Sequence, residues 1–192
     1  MEIKIFTENL HTERLILRPL SLQDTDAMYE YTSNPAVTTH LSWYAHTDIK
    51  TTRKFIENVL SRYENKLDEF VFGIELKSEN KLIGVVRVFN VCFSNRRGEF
   101  SSILNPNYQR KGYIGEAWQG LLKHCFETLG LNRIQSYVTV DNIPSQRKND
   151  KAGLTLEGRL RQYWYQKNEY YDALVYSIVA DDYHRLKEEK EI

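Results

Sequence analysis

The sequence predicts an α+β fold: one domain with a mixed, mostly antiparallel central sheet flanked by helices. Three observations carry this expectation. Strand-like runs fill the middle of the chain at 70–76, 82–91, 99–104 and 133–140, and two more close it. Between 114 and 129 the apolar residues Ile114, Ala117, Trp118, Leu121, Leu122, Cys125, Phe126 and Leu129 recur at helical spacing, the strongest such stripe in the chain. That helix lies between the strands at 99–104 and 133–140, which reads as a βαβ-like crossover. A length of 192 residues suits a single domain.

The elements follow in order. TERLILRPL (12–20) is strand-like and Pro19 ends it. Ser21 is placed to cap a helix, with Asp24 at its third position where a negative charge favours a helix start. A second helix follows Pro35, with Ile49, Thr52, Ile56, Val59, Leu60 and Tyr63 near helical spacing. The strands at 70–76 and 82–91 are joined by a hairpin turn, KSENK. Pro106 stops the strand at 99–104, and Gly130 is well placed to end the long helix. A short polar helix around 144–152 stops at Gly153, and two strands, LEGRLRQYWYQ and EYYDALVYSIV, follow. The charged tail HRLKEEKEI is expected to fray.

Composition excludes several function classes. With 26 basic and 26 acidic side chains the chain is neutral, which argues against nucleic acid as its partner. No run approaches the ~18 apolar residues of a membrane span. The start of the chain lacks the apolar run of a signal peptide. Cys92 and Cys125 form neither a disulfide framework nor a metal-ligand pattern, so a reducing cytoplasm is expected. His40 and His46 are too loosely placed for a metal site, and none is expected. His124 reads as a rim position on the long helix, and Cys125 as core.

The chemistry concentrates in YQRKGYIGEA, at the head of that helix. An isolated G-x-x-G before a helix is more often a plain turn than a ligand site. Its place changes the balance. Free N–H groups and the helix dipole form an anion site there, and Gly112 and Gly115 let a phosphate approach the backbone. Arg110 and Lys111 add charge. The run is neither a Walker loop nor a dinucleotide fingerprint, so the pyrophosphate of another cofactor fits better.

NPNYQRKGYIGEA resembles the acyl-coenzyme A loop of the GCN5-related N-acetyltransferase (GNAT) superfamily, whose core is Q/R-x-x-G-x-G/A. Gln109, Gly112 and Ile114 fall on the first, fourth and sixth positions, with Gly115 one residue beyond the usual small residue. TERLILRPL resembles the opening strand of the branch containing the ribosomal-protein alanine and serine N-acetyltransferases. NIPSQRKNDKAGLTLEGRLRQY resembles a second segment of that branch, through Asn142, Ser145, Arg147, Lys151, Gly153, Glu157, Gly158 and Arg161. NEYYDALVYSIV resembles its closing hairpin, with Asp172 on the usual aspartate. Three departures stand out. The helix after Ser145 carries Lys148, Asn149 and Asp150 among positions that are often apolar, Leu154 replaces a phenylalanine, and Asn149 stands where many members keep a tyrosine acid.

The resemblance covers about residues 10–186 and implies a single GNAT-like domain over 1–192 that transfers an acetyl group from acetyl-coenzyme A to a primary amine, without metal. It implies cofactor contacts from Gln109, Arg110, Lys111, Gly112, Tyr113, Ile114 and Gly115, and from Asn142, Ser145 and Arg147. The backbone at Ile103 and Leu104 would pair with the pantetheine arm like an added strand, and one of its N–H groups would stabilise the oxyanion. Ser145 reads either as the donor to the departing thiolate or as a helix cap. Glu99 reads either as the base or as a strand-edge charge. Glu116 reads as a surface carboxylate favoured by the helix dipole. Asn142 also has a plain turn reading. Trp43 and Tyr44 line either the acceptor site or the core.

The expected acceptor is a protein or peptide N-terminal α-amine. At a pKa of ~7.7–8.0 such an amine needs only a modest base. A small-molecule amine, or a sensor domain that binds coenzyme A without turnover, are the alternatives. Surface tyrosines and the closing hairpin suit a homodimer.

Overall fold

The computed structural model describes residues 8–63 and 68–191. Eight strands form one open sheet in the order β1-β2-β3-β4-β5-β6-β8-β7. The strands are β1 Leu10–His11, β2 Leu15–Arg18, β3 Phe70–Leu76, β4 Lys81–Cys92, β5 Arg97–Leu104, β6 Arg133–Thr139, β7 Thr155–Gln166 and β8 Glu169–Val179. The helices are α1 Thr25–Thr32, α2 Ile49–Tyr63, α3 Tyr113–Lys123, α4 Ile143–Lys151 and α5 Ala180–Glu191. All neighbours are antiparallel except β5 and β6, the pair joined through α3.

The alternation of strand side chains sends apolar residues to both faces. On one face Val71, Leu82 and Val85 pack against Met28 and Tyr31 of α1 and Ile56 and Val59 of α2. On the other, Phe72, Ile74, Val86 and Phe100 pack against Ala117, Trp118 and Leu121 of α3. Trp118 is fully buried beside Phe100. Truncating such a side chain to alanine costs roughly 3–5 kcal/mol.

The parallel pair governs the site. β5 and β6 pair only at Arg97↔Arg133, Gly98↔Ile134 and Glu99↔Gln135. Beyond Glu99, β5 keeps pairing with β4, and β6 with β8, but the two no longer pair with each other. A gap therefore opens in the sheet, edged by the backbone of Phe100–Leu104.

Several expectations are corrected. The opening strand is a small hairpin, β1 and β2, rather than one run over 12–20. The long helix is regular only to Lys123. His124–Thr128 forms a π turn, in which the Leu129 N–H bonds to the His124 carbonyl. Gly130 follows at φ +63°, the left-handed stop expected of it. His124 is buried rather than at the rim, edge-on to Phe72. The charged tail, expected to fray, is helical as far as Glu191: it belongs to α5, with Tyr183 stacked on Phe126 and Leu186 against the core. A few apolar residues among many charges suffice to dock a helix whose other face is solvated.

Candidate active site

The loop before α3 is built by backbone geometry. Asn105 accepts from the Asn107 N–H and caps the turn Pro106–Tyr108, and Gln109 reaches back to the Leu104 carbonyl at 3.4 Å. Arg110 has φ +62° and Gly112 φ +85°. Left-handed residues in quick succession turn N–H groups towards a common concavity. Gly112 stands in the cap position of α3 and supplies no side-chain hydrogen bond, so the first N–H groups of the helix stay open to an anion. A Cβ added at Gly115 would meet nothing within 4 Å. Ile114 and Gly115 both face the open cleft.

Arg14 locks this loop from outside. Its Nε donates to Glu116 at 2.7 Å and its Nη1 to the Lys111 carbonyl at 3.0 Å, while its guanidinium covers the Tyr113 ring. Glu116 also accepts from the Thr12 hydroxyl at 2.6 Å and the Arg14 N–H at 2.7 Å. Burial works to raise the Glu116 pKa, but the bonds from Thr12 and Arg14 outweigh it and hold the carboxyl below its ordinary value. Glu116 is therefore a structural tie rather than the surface carboxylate expected from its place near the helix dipole.

Behind the loop lies a cleft between β5, α3 and α4. It holds two adjoining cavities of about 340 and 480 Å³. Arg110, Gly112, Tyr113, Ile114, Gly115, Arg147 and Ser145 line one or both, as do Ser102, Leu104 and Gln109 from the β5 side. Lys148 and Lys151 add two cations. Among the described residues no carboxylate lines either cavity, so the cleft suits a multiply anionic ligand. Lys111 lines neither; its ammonium lies over the Tyr108 ring.

α4 is capped from outside its first turn. Asn142 is its cap, its Oδ1 accepting from the Ser145 N–H at 3.2 Å, with Pro144 in the first turn. Ser145 is thus not the cap, and it lines the cleft with Ser102 and Leu104. Asn149 is fully buried with both amide atoms unpartnered. Lys148, one residue earlier, reaches across the cleft. Its Nζ donates to the Ser102 hydroxyl at 3.1 Å and lies 5.0 Å from the centre of the Trp118 ring. Desolvation pushes this ammonium down to about 8. Periodicity gave no signal for Lys148, which reads in sequence as one more charge on a polar helix.

A third cavity, of about 240 Å³, opens on the α1/α2 face of the sheet. Tyr31, Trp43, His46 and Phe55 give it an aromatic lining. Trp43 lies 5.0 Å from His46, whose Nδ1 is 2.7 Å from the Thr52 hydroxyl. Burial holds the His46 pKa below its ordinary value. Tyr44 is outside, exposed under Lys167. Among the described residues Glu69 is the one carboxylate in the lining, and it is gripped by Arg62 at 3.0 Å and Arg87 at 3.2 Å. Arg87 also donates to Ser101 at 2.7 Å. The Tyr31 hydroxyl is buried without a partner, and burial pushes its pKa up. Glu99 shares a sheet face with Ser101 and Ile103, which line this cavity, but is itself half-buried one step back beside Gln135 and lines none of the three cavities.

One residue, Ser102, lines both this aromatic cavity and the cationic cleft. A donor in one and an acceptor in the other would meet there. Among the described residues no group of histidine, cysteine and carboxylate side chains could hold a metal, and no helix is long and apolar enough to cross a membrane.

Comparisons with known proteins agree with this geometry. The model of the acetyltransferase (GNAT) domain matches residues 14–155. The chain is 35% identical over 170 residues to the uncharacterized N-acetyltransferase YoaA of Bacillus subtilis, covering 88% of this chain and 96% of YoaA. It is also similar to a protein of that bacterium named "Putative ribosomal N-acetyltransferase YdaF", at 28% identity over 58% of this chain and 62% of YdaF. The spermidine N(1)-acetyltransferase of Vibrio cholerae is 26% identical over 67% of this chain and 73% of its own. A GNAT-family acetyltransferase structure from Bacillus anthracis superposes with a TM-score of 0.80 at 29% identity, covering 91% of this chain and 99% of that one. The loop, the split sheet and these likenesses agree: the chain belongs to the GNAT family and is an acetyl-coenzyme A-dependent N-acetyltransferase.

Proposed function

We propose that the acceptor is the α-amine of a peptide or protein N-terminus, of the ribosomal-protein type, with an apolar first side chain in the aromatic cavity. The observation that carries this is the state of Glu69. It is the cavity's one carboxylate among the described residues, and two guanidiniums already hold it. A polyamine would place several positive charges beside Arg62 and Arg87 with no free carboxylate to receive them, which costs free energy. A peptide α-amine brings one titratable nitrogen and a chain of carbonyls that arginines can bond.

In this reading the acetyl thioester supplies the acyl group and the protein supplies placement. The loop of Gln109, Arg110, Gly112, Tyr113, Ile114 and Gly115, with Lys111 contributing long-range charge and Arg147 lining the cleft, binds the phosphates. The free edge of β5 at Ile103 and Leu104 pairs with the pantetheine arm, and the Asn142 amide nitrogen donates to it. The acceptor amine attacks the thioester directly in a ternary complex. At a pKa of ~7.7–8.0 the amine is partly neutral at physiological pH, so a water held by Glu99 suffices as base. The Ser145 hydroxyl donates a hydrogen bond to the departing sulfur. Cys92 and Cys125 as free thiols suit a reducing cytoplasm.

The test is release of coenzyme A thiol with acetyl-coenzyme A and a panel of amines: peptides with ribosomal-protein N-termini, spermidine and aminoglycosides. The reading expects kcat/KM for at least one peptide to exceed that for spermidine by 10-fold or more, on the order of 1.4 kcal/mol. Turnover of spermidine but of no peptide would overturn it. Tight acetyl-coenzyme A binding with no turnover of any amine would favour a sensor.

A further inference from the structure

We propose that Lys148 is the acid of this enzyme: its ammonium, held at Ser102 where the donor and acceptor cavities meet, protonates the sulfur that leaves. The proposal concerns acetyl transfer itself and does not depend on which amine is the acceptor.

The geometry comes first. Transfer must take place where a thioester in the cationic cleft can touch an amine in the aromatic cavity, and Ser102 is the one residue lining both. Lys148 Nζ donates to its hydroxyl at 3.1 Å, and Trp118 Nε1 to the same oxygen at 3.4 Å. Two donors occupy the Ser102 oxygen, so its own O–H is free to turn towards a ligand. Lys148 Nζ also stands beside the Trp118 ring, whose face favours the cation. A cation placed across a cleft by two neighbours on different elements is positioned, not a solvated surface charge.

The surroundings decide what such a cation can do. From the loop before α3 the cleft receives Arg110; from α4, Arg147 and Lys151; from α3, Tyr113; from β5, the uncharged Ser102 and Leu104. Among the described residues that line the cleft, none is a carboxylate facing Lys148. Desolvation without a compensating anion favours the neutral amine and brings Lys148 to about 8. An alkyl thiol such as cysteine titrates near ~8.5. The donor therefore titrates near the working pH, the condition under which a general acid works best. The sequence pattern agrees from another side. Asn149, where a tyrosine acid would stand, is buried and lines none of the three cavities. A serine hydroxyl such as Ser145 can bond a thiolate but has no proton to give up near neutral pH.

The step balances. The neutral acceptor amine forms the new C–N bond to the acyl carbon. The C–S bond breaks and its electron pair goes to sulfur. One proton passes from Lys148 Nζ to that sulfur, leaving a thiol and a neutral lysine. The acceptor nitrogen gives its extra proton to water, and Lys148 is reprotonated from solvent.

Three measurements test this on the full chain with whichever amine of the panel is turned over. Lys148→Met should lower kcat by ~10² or more while the KM for acetyl-coenzyme A stays within ~3-fold. Lys148→Arg keeps the charge but does not surrender a proton in the working range, so it should lose kcat as the methionine variant does. Wild-type kcat/KM for acetyl-coenzyme A, which reports the free enzyme, should fall as pH rises through about 8, and both variants should lack that fall. A readout free of turnover is the titration of bound coenzyme A, followed by thiolate absorbance: its thiol should ionise at lower pH in the wild type than in Lys148→Met. Retained kcat in Lys148→Arg, or an unchanged alkaline fall in either variant, would overturn the proposal. So would identical thiol titration in wild type and Lys148→Met. Should the methionine variant not fold, Lys148→Arg alone decides.

Discussion

Arg14 and Glu116, 102 residues apart in sequence, form an ion pair of 2.7 Å that fastens the β1–β2 hairpin to the first turn of α3. The same guanidinium reaches the Lys111 carbonyl, so one side chain fixes both the helix and the loop that precedes it. Glu116→Ala should therefore act on cofactor binding from outside the cleft. Charge-assisted bonds of this kind contribute about 1.5–3 kcal/mol. We expect the melting temperature to fall and the KM for acetyl-coenzyme A to rise ~5-fold or more, with kcat little changed. Steady-state kinetics and thermal unfolding check this.

Gly112 sits at φ +85°, and a Cβ there would lie 3.2 Å from Arg14 Nη2. Gly112→Ala should cost about 1–2 kcal/mol for the left-handed backbone alone. Gly112→Asp adds an anion in the middle of the N–H concavity and should abolish coenzyme A binding. Calorimetric titration measures both, and unchanged affinity in the aspartate variant would remove the loop from the cofactor site.

Tyr31 offers a separate test of the aromatic cavity. Its hydroxyl is buried without a partner, at a cost of about 1–3 kcal/mol. Tyr31→Phe should therefore leave the free protein as stable as the wild type or more so. If the hydroxyl bonds the bound acceptor, the same change should raise the acceptor KM ~5-fold while the acetyl-coenzyme A KM holds. Denaturant unfolding and paired KM values separate the two effects.

The closing hairpin carries part of the acid sensitivity. Hydrogen bonds from Arg133 and Ser177 lower the Glu157 carboxyl from an ordinary 4.5 to about 2. The folded value is depressed, so this stabilisation is complete above about 4.5 and is lost as pH falls towards 2. Glu157→Gln should flatten the stability–pH curve across that window and leave the neutral region less affected. Urea unfolding at several pH values measures it.

Much of the fold was legible in the sequence because its signals are local. The α3 stripe, the strand runs and Gly130 each obey periodicity or backbone sterics, and each stands where those rules put it. α5 was missed because two docking residues, Tyr183 and Leu186, are too few to register against eight charges nearby. The π turn at His124 left no mark, since its apolar neighbours still follow helical spacing. Within the site, the loop could be read from Gly112 and the helix that follows it. Arg14, Ser102 and Tyr31 could not, because each acts through a contact far away in sequence. Ser145 shows the limit of motif reading: a serine before a short helix suggests a cap, yet Asn142 takes that role three residues earlier.

The central claim is that donor and acceptor meet at Ser102, with coenzyme A in the cationic cleft and a peptide N-terminus in the aromatic cavity. A crystal structure with a bisubstrate adduct, coenzyme A sulfur joined through an acetyl linker to a peptide α-nitrogen, tests it most directly. The account predicts the pyrophosphate at the N–H groups of 110–115, the sulfur within hydrogen-bond reach of Ser102 or Lys148, and the first peptide side chain among Tyr31, Trp43 and Phe55. An adduct whose peptide leaves the cleft without entering that cavity, or whose sulfur lies away from Ser102, would contradict it.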